Sequence, residues 1–393
     1  MASKSFWKIV LFVFLTALIL RIIFILSLEQ KFYFDDEHEY WKMVDNFISG
    51  KGLMVAETLK AYRPPLYPLF LAVAVKIGAG ILGIRIVQAL IGALTCIFIY
   101  ILSKKIFNEK VAIFSGFISA VYPFFIFYTG FLLTETLFIF LVVMSVLTIV
   151  NLSQKDTSSN YGFLAGTVNG FAGLCRPTME LFFPFCLIFV LFSKDMLNLK
   201  IKKIVYACLG FILILTPWII RNYVAIGKFV PGTTMGGAVF WEGNNPYSEG
   251  GPCRYFPEGI WQIEETSRDR IFYRLTVECI KKDPVRFVKL LGKKFLRFWN
   301  IVPNAADYRG NLYRLISVFS FGILLPFFIV GILTSRHNRH AMFLLWIIIF
   351  FTVFHMIFLA SIRYRVGIEP FVIMLASSGF ITLMDMLKFN LKT

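Results

Sequence analysis

From Phe6 to Leu28 the chain runs almost unbroken through Leu, Ile, Val and Phe, long enough as one helix to cross a ~30 Å hydrocarbon layer. Such a run has no stable place in water. Further apolar runs follow, and with 58% hydrophobic residues, 45 Phe and a mean hydropathy of +0.73 the composition exceeds the roughly 45–50% apolar content of soluble domains. The expected fold class is therefore an all-α polytopic membrane protein. Runs of roughly 15–25 residues at 6–28, 84–106, 111–128, 132–152, 162–175, 178–193, 203–220, 312–334, 341–360 and 366–386 give about ten spans. The fifth and sixth are short for a full crossing, which leaves a half-buried helical hairpin as the other reading. The first run is too long for a cleaved leader and lacks a small-residue cleavage site, so it is expected to be retained.

Lys and Arg beside spans resist translocation, which orients the chain. Lys4, Lys8, Lys104, Lys105, Lys110, Lys155, Lys194, Lys200, Lys202, Lys203, Arg336, Arg339, Lys388 and Lys392 all fall on one side of a ten-span chain. That side is expected to be cytoplasmic and to hold both termini, in a plasma membrane. The opposite short loops carry only Arg176, Arg363 and Arg365. These three depart from the rule that orients everything else, and so need another explanation. The net charge of +17 is spread along membrane edges, which fits anionic lipid headgroups and excludes a nucleic-acid-binding module. Cys96, Cys175, Cys186 and Cys208 read as packing residues, whereas Cys253 and Cys279 share an outer loop in which a disulfide is allowed.

Three regions follow: an N-terminal transmembrane module over 1–220 with a first outer loop at 29–83, an extracytoplasmic segment at 221–311, and a C-terminal transmembrane module over 312–393. Within the first loop, the apolar stretch 66–77 is about 12 residues long and carries Lys76, so it is expected to lie at the interface. The Gly-, Asn- and Pro-rich stretch 227–251 predicts loops and short strands. Residues 284–299 interleave Arg286, Lys289, Lys293, Lys294 and Arg297 with Phe and Leu, predicting a basic amphipathic helix on the bilayer surface. Gly78–Gly83 matches G-x-G-x-x-G but has no strand before it, and reads as a helix break.

Directly behind the first span stands Asp35-Asp36-Glu37-His38-Glu39. On the outer face there is no ATP and there are no nucleotide sugars, so chemistry there needs a substrate activated on a lipid. Sugar transfer from a lipid phosphate requires a carboxylate to orient and deprotonate an acceptor hydroxyl, and fixed cations to stabilise the departing phosphate. The acidic cluster, through Asp35 or Asp36, meets the first need; a solvated helix N-terminus is the competing explanation. Arg63, Arg176, Arg221, Arg363 and Arg365 map to outer span ends and meet the second, although each also suits an interfacial anchor. Glu135, Glu180 and Glu369 begin spans from the same side, where ionisable groups are functional candidates. No cofactor is certain; Asp36, His38 and Glu39 leave a divalent metal open, but no metal ligand is assigned.

Asp36-Glu37-His38-Glu39-Tyr40, Arg63-Pro64-Pro65-Leu66-Tyr67-Pro68, Tyr122-Pro123, Leu133-Thr134-Glu135, Cys175-Arg176-Pro177-Thr178, Pro217-Trp218 through Tyr223, Gly243-Asn244-Asn245-Pro246, Arg363-Tyr364-Arg365 and Glu369-Pro370 occur in that order. Together they resemble the GT-C glycosyltransferases of the protein O-mannosyltransferase and aminoarabinose-transferase group. The resemblance implies a GT-C-type bundle with interfacial helices in its first outer loop, and inverting transfer from a polyprenyl-phosphate sugar to a lipid, glycan or protein acceptor. It further implies Asp36 as general base, Tyr40 within the Asp-x-x-Glu-Tyr pattern as a substrate contact, and Arg63 in the donor-phosphate role of a Lys-Pro lysine. Tyr62 stands where aminoarabinose transferases can carry an acid, and the large soluble insertion of the mannosyltransferases is missing. A transporter or flippase of lipid-linked sugars is the main alternative, and a noncatalytic assembly protein the next; charges at the outer edge and the lack of a visible repeat favour the transferase.

Overall fold

A computed structural model of the chain describes residues 4–303 and 310–390. Lys392, used above for orientation, lies outside the described residues. The helices are α1 (Lys4–Leu26), α2 (Asp35–Ile48), α3 (Leu66–Lys76), α4 (Ile81–Ile106), α5 (Glu109–Val121), α6 (Pro123–Thr129), α7 (Glu135–Leu152), α8 (Asn160–Cys175) and α9 (Thr178–Leu191). They continue as α10 (Leu197–Ile226), α11 (Gly236–Asn244), α12 (Glu265–Lys282), α13 (Pro284–Phe298), α14 (Asn311–Ser317), α15 (Ile323–Thr334), α16 (Arg339–Ile357), α17 (Ile362–Arg365) and α18 (Glu369–Asn390). Among the described residues the only β-pairing is an isolated bridge between Ala56 and Leu59. The protein is a nearly all-helical, multi-pass membrane protein.

All ten apolar runs fall on helices, but the expected count of ten full spans is not reached. Among the described residues seven helical segments are long and apolar enough to cross a membrane, α14 and α15 together forming one of them (Asn311–Thr334), and α5 with α6 makes up to an eighth across a 48° bend. The bend has a local cause: Tyr122 precedes Pro123, and the pre-proline residue is driven out of the helical region to φ −68°, ψ 116°. Proline shortens α8 and α9 in the same way. Arg176, before Pro177, is extended at φ −147°, ψ 122°, which ends α8 and starts a new helix.

Close helix approach explains how the short α8 is held. Gly162, Gly166 and Gly170 recur every fourth residue, so they share one face against α10. A Cβ on Gly166 would lie 1.8 Å from the Ala207 carbonyl oxygen, and one on Gly210 of α10 would lie 2.2 Å from that of Phe163. Only glycine allows the backbones this near. At the far end of α10, fully buried Lys203 and Asp195 pair at 2.6 Å.

The Gly78–Gly83 segment is indeed a break: Gly78, at φ +85°, follows α3, and Gly80 caps α4. Residues 227–251 differ from the expected strands. Part of this stretch forms α11, because Ala238 and Trp241 bury against Phe272 of α12 and Ile260. Residues 284–298 form the expected helix α13, started by Asp283, whose carboxylate accepts the Arg286 N–H at 2.8 Å. Lys294 is not a surface cation, however. It is fully buried and donates to Asn244 Oδ1 (2.8 Å) and to the carbonyls of Ile357 and Phe358 (3.1 and 2.9 Å), joining α13 to α11 and the end of α16. Cys253 and Cys279 are free thiols.

Candidate active site

At one end of the bundle, the start of α2, the 62–65 turn, the start of α7, the α8–α9 junction and α17 face a common cavity of about 340 Å³. The start of α2 is held from below by Glu37. Its carboxylate accepts the N–H groups of Tyr33 (2.6 Å) and Phe34 (2.9 Å) through one oxygen and that of Leu132 (2.7 Å) through the other. Glu37 is fully buried and thus a structural clamp, tying α2 to the segment that leads into α7. With Glu37 turned inward, its neighbour Asp36 lines the cavity.

Asp36 is the centre of a chain of charges. Its Oδ1 accepts from Arg63 Nη2 at 2.6 Å and its Oδ2 from Arg363 Nη1 at 2.5 Å. Arg63 also reaches Glu39 through Nε at 2.7 Å, one turn along α2 from Asp36, and its guanidinium lies over the Tyr40 ring. Arg363 donates through Nε to Glu135 Oε1, the atom that also accepts from Arg176 Nη2 at 2.6 Å. Arg176 in turn holds the Thr134 hydroxyl at 2.9 Å and lies over Phe138. Three guanidiniums and three carboxylates therefore alternate from Glu39 to Arg176.

This arrangement leaves donors to spare. Arg63 engages Nε and Nη2, Arg363 engages Nε and Nη1, and Arg176 engages Nε and Nη2, so each keeps one terminal nitrogen without a partner among the described residues. Planar groups already held on one edge present the other edge pre-oriented, which suits a phosphate. Burial alone would push the Asp36 carboxyl up, but the charges of Arg363 and Arg63 outweigh it and hold it well below the usual carboxylate range. Burial pushes the Tyr40 and Tyr62 phenols up to about 12, so both stay neutral.

The other sequence candidates sit elsewhere. Asp35 is exposed and meets Arg254 at 3.3 Å, off the cavity wall. Arg221 donates to the carbonyls of Lys60 and Leu53 (both 2.7 Å) and stacks on Trp218, anchoring the first loop to α10. Arg365 is buried against Glu369 (2.8 Å), the Phe298 and Asn300 carbonyls and the Phe321 ring. Neither Arg221 nor Arg365 lines the cavity, where the sequence reading expects them to bind substrate. Asp36, His38 and Glu39 do not converge either: His38 packs edge-on against Phe32, Arg63 lies between the two acids, and no metal-binding group is found among the described residues. The sequence reading missed the contribution of 231–239 and Tyr273 to the cavity wall. Their Gly- and Thr-rich composition carries no charge signal.

A second, apolar cleft of about 590 Å³ lies beside the first, lined by Phe24, Phe34, Phe124, Phe127, Tyr128, Ile316 and others. Arg363 borders both spaces.

Comparison with known proteins agrees with this architecture. The family model "Dolichyl-phosphate-mannose-protein mannosyltransferase" matches residues 62–220. A search of curated protein sequences finds no match. Among solved structures, the oligosaccharyltransferase of Archaeoglobus fulgidus in its apo form superposes with a TM-score of 0.63 at 15% identity, over 98% of this chain and 51% of that one. The same organism's oligosaccharyltransferase AglB, in complex with an inhibitory peptide and a dolichol-phosphate, gives 0.64 at 14% identity over the same shares. This chain thus spans about half the length of those proteins. ArnT from Cupriavidus metallidurans also aligns, over 96% of this chain and 78% of that one, at 16% identity and a TM-score of 0.44, too low to add weight. Taken together, the helical bundle has the fold of the Archaeoglobus fulgidus oligosaccharyltransferase structures, and residues 62–220 are similar to the dolichyl-phosphate-mannose-protein mannosyltransferase family model.

Proposed function

We propose that the protein is an inverting glycosyltransferase that moves a sugar from a polyprenyl-phosphate donor to a lipid, glycan or protein acceptor on the extracytoplasmic face. The observation that carries this reading is the position of Arg363, which joins a polar cavity to an apolar cleft and binds Asp36 on the way. A polyprenyl phosphate has the matching division: an apolar tail for the cleft, an anion for the guanidiniums, and a sugar for the cavity. The mannosyltransferase-family segment and the solved AglB complex with a dolichol-phosphate support the same donor class. The distribution of lysines supports cytoplasmic termini and an outward-facing site.

In the proposed reaction the acceptor oxygen attacks the anomeric carbon from the side opposite the phosphate. The carbon–phosphate-oxygen bond breaks, its electron pair leaves with the lipid phosphate, and the acceptor proton passes to the Asp36 carboxylate. Asp36 is a weak base, so proton removal accompanies bond breaking and depends on placement. Arg63, Arg176 and Arg363 direct their uncommitted N–H groups at the charge that develops on the phosphate. Asp35 is exposed and paired with Arg254, so Asp36 is the better candidate for the base. Glu135 positions Arg176 and Arg363. The test is transfer from radiolabelled polyprenyl-phosphate sugars by protein reconstituted in liposomes. Asp36→Asn is expected to abolish transfer while still folding, at a melting temperature lowered by the lost pairing of the ionised carboxylate with Arg63 and Arg363, and full activity in this variant removes Asp36 as the base.

A further inference from the structure

One acid on the cavity wall stands outside the charge chain. Glu180, in the first turn of α9, lines the same space as Asp36, Arg63, Arg176 and Arg363, yet its carboxylate has no hydrogen bond or ion pair with any described residue. Two glycines clear a slot for it. A Cβ on Gly173 would lie 2.8 Å from Glu180 Cγ, and one on Gly232 would lie 3.2 Å from Glu180 Oε2. A side chain at either position would crowd the carboxylate. Thr178, Thr233 and Tyr273 line the same cavity, and their hydroxyls likewise lack a partner among the described residues. Both oxygens of Asp36, by contrast, already accept from arginines.

A partly desolvated carboxylate without donors is unfavourable unless a ligand supplies them, and a hydroxyl is the group that supplies one without adding charge. The guanidiniums attract the anionic part of a substrate, while Glu180 has free acceptor capacity and neighbours able to both donate and accept. We propose that Glu180, seated between Gly173 and Gly232, is the residue that hydrogen-bonds a substrate hydroxyl in this cavity and so helps select which sugar or acceptor is used. The proposal rests on the glycosyl-transfer reading above. The competing explanation is that Glu180 only favours the dipole of α9.

The experiment compares binding of undecaprenyl phosphate with binding of undecaprenyl-phosphate mannose, glucose and galactose to purified full-length protein, wild type and Glu180→Gln, followed by transfer kinetics on the sugars that bind. If the hydroxyl belongs to the donor, Glu180→Gln weakens at least one sugar-bearing lipid by about 3–10-fold, the range for an ordinary hydrogen bond, and leaves undecaprenyl phosphate unchanged. If it belongs to the acceptor, all four lipids bind as before and the acceptor KM rises by a similar factor. A purely structural role weakens bare and sugar-bearing lipids alike, which overturns the proposal, as do unchanged affinities with an unchanged acceptor KM. Failure of the wild type to bind undecaprenyl phosphate refutes the underlying transferase reading instead, so the two failures are distinguishable.

Discussion

Replacing Arg363 by lysine tests whether shape or charge matters at the junction of the two cavities. Arg363 engages Glu135 through Nε and Asp36 through Nη1 at 2.5 Å, and keeps Nη2 uncommitted. A lysine keeps the positive charge but concentrates it on one nitrogen, which cannot span both carboxylates and also face a phosphate. Losing one pre-oriented donor to a developing anion costs about 2.7–4 kcal/mol, or about 10²–10³ in rate. Both Arg363→Lys and Arg363→Ala should therefore lower kcat/KM for lipid-linked sugar by about that factor. Arg63 remains on Asp36 and Arg176 on Glu135, so neither acid is stripped of its last partner and the fold should persist. The assay is transfer in liposomes, with melting temperature as the control for folding. Activity of the lysine variant within about threefold of wild type, with the alanine variant inactive, would show that a point charge suffices and refute the argument from the forked geometry.

Other outcomes follow from the same structure. Because Arg363 and Arg63 hold the Asp36 carboxyl below its ordinary range, its ionised form adds stability that is full above the unfolded pKa of about 3.9 and lost as pH falls through the lower folded value. The pH–rate profile should therefore show no Asp36 limb between about pH 5 and 8 in wild type, and Arg63→Gln should move one upward. Gly166→Ala should lower the melting temperature, by the equivalent of about 1–3 kcal/mol or more, since the added methyl meets the Ala207 carbonyl. Lys294→Met should also destabilise, by about 1–3 kcal/mol for each acceptor left dry at Asn244, Ile357 and Phe358. Burial lowers the Lys294 ammonium to about 7, so its charge opposes folding below that pH; wild-type stability should rise from pH 7 towards 10, and rise less in Lys294→Met. Fluorescence-monitored melting across pH checks both variants.

The bundle was legible because hydropathy and lysine placement are one-dimensional signals, and a membrane imposes a one-dimensional order. The same logic brought Arg63, Arg176 and Arg363 to the level of Asp36, although Arg363 lies 327 positions from it. It could not separate them from Arg221 and Arg365, because depth along the bundle says nothing about rotation around a helix. Rotation is decided by packing: Arg221 turns to Trp218, and Arg365 to Phe321 and Glu369. Lys294 was misread for a related reason. On the pattern of α13 alone it is one cation among five, and only α11 and the end of α16 supply the carbonyls that let it be buried. The helix α11 was hidden by its glycines, one of which, Gly237, lies so close to α12 that a Cβ would be 2.2 Å from the Asp269 carbonyl oxygen.

The alternating charges from Glu39 to Arg176 bear on how a cycle would end. An incoming anion meets cations that already have resident counterions, so its net attraction is the difference between two favourable pairings. Once the sugar has gone, the spent carrier loses the cavity's hold on that sugar, while Asp36, Glu39 and Glu135 remain to reclaim the guanidiniums. In the proposed transferase, built-in carboxylates would thus favour discharge of the leftover lipid and keep a strongly cationic pocket from becoming a trap for its own by-product.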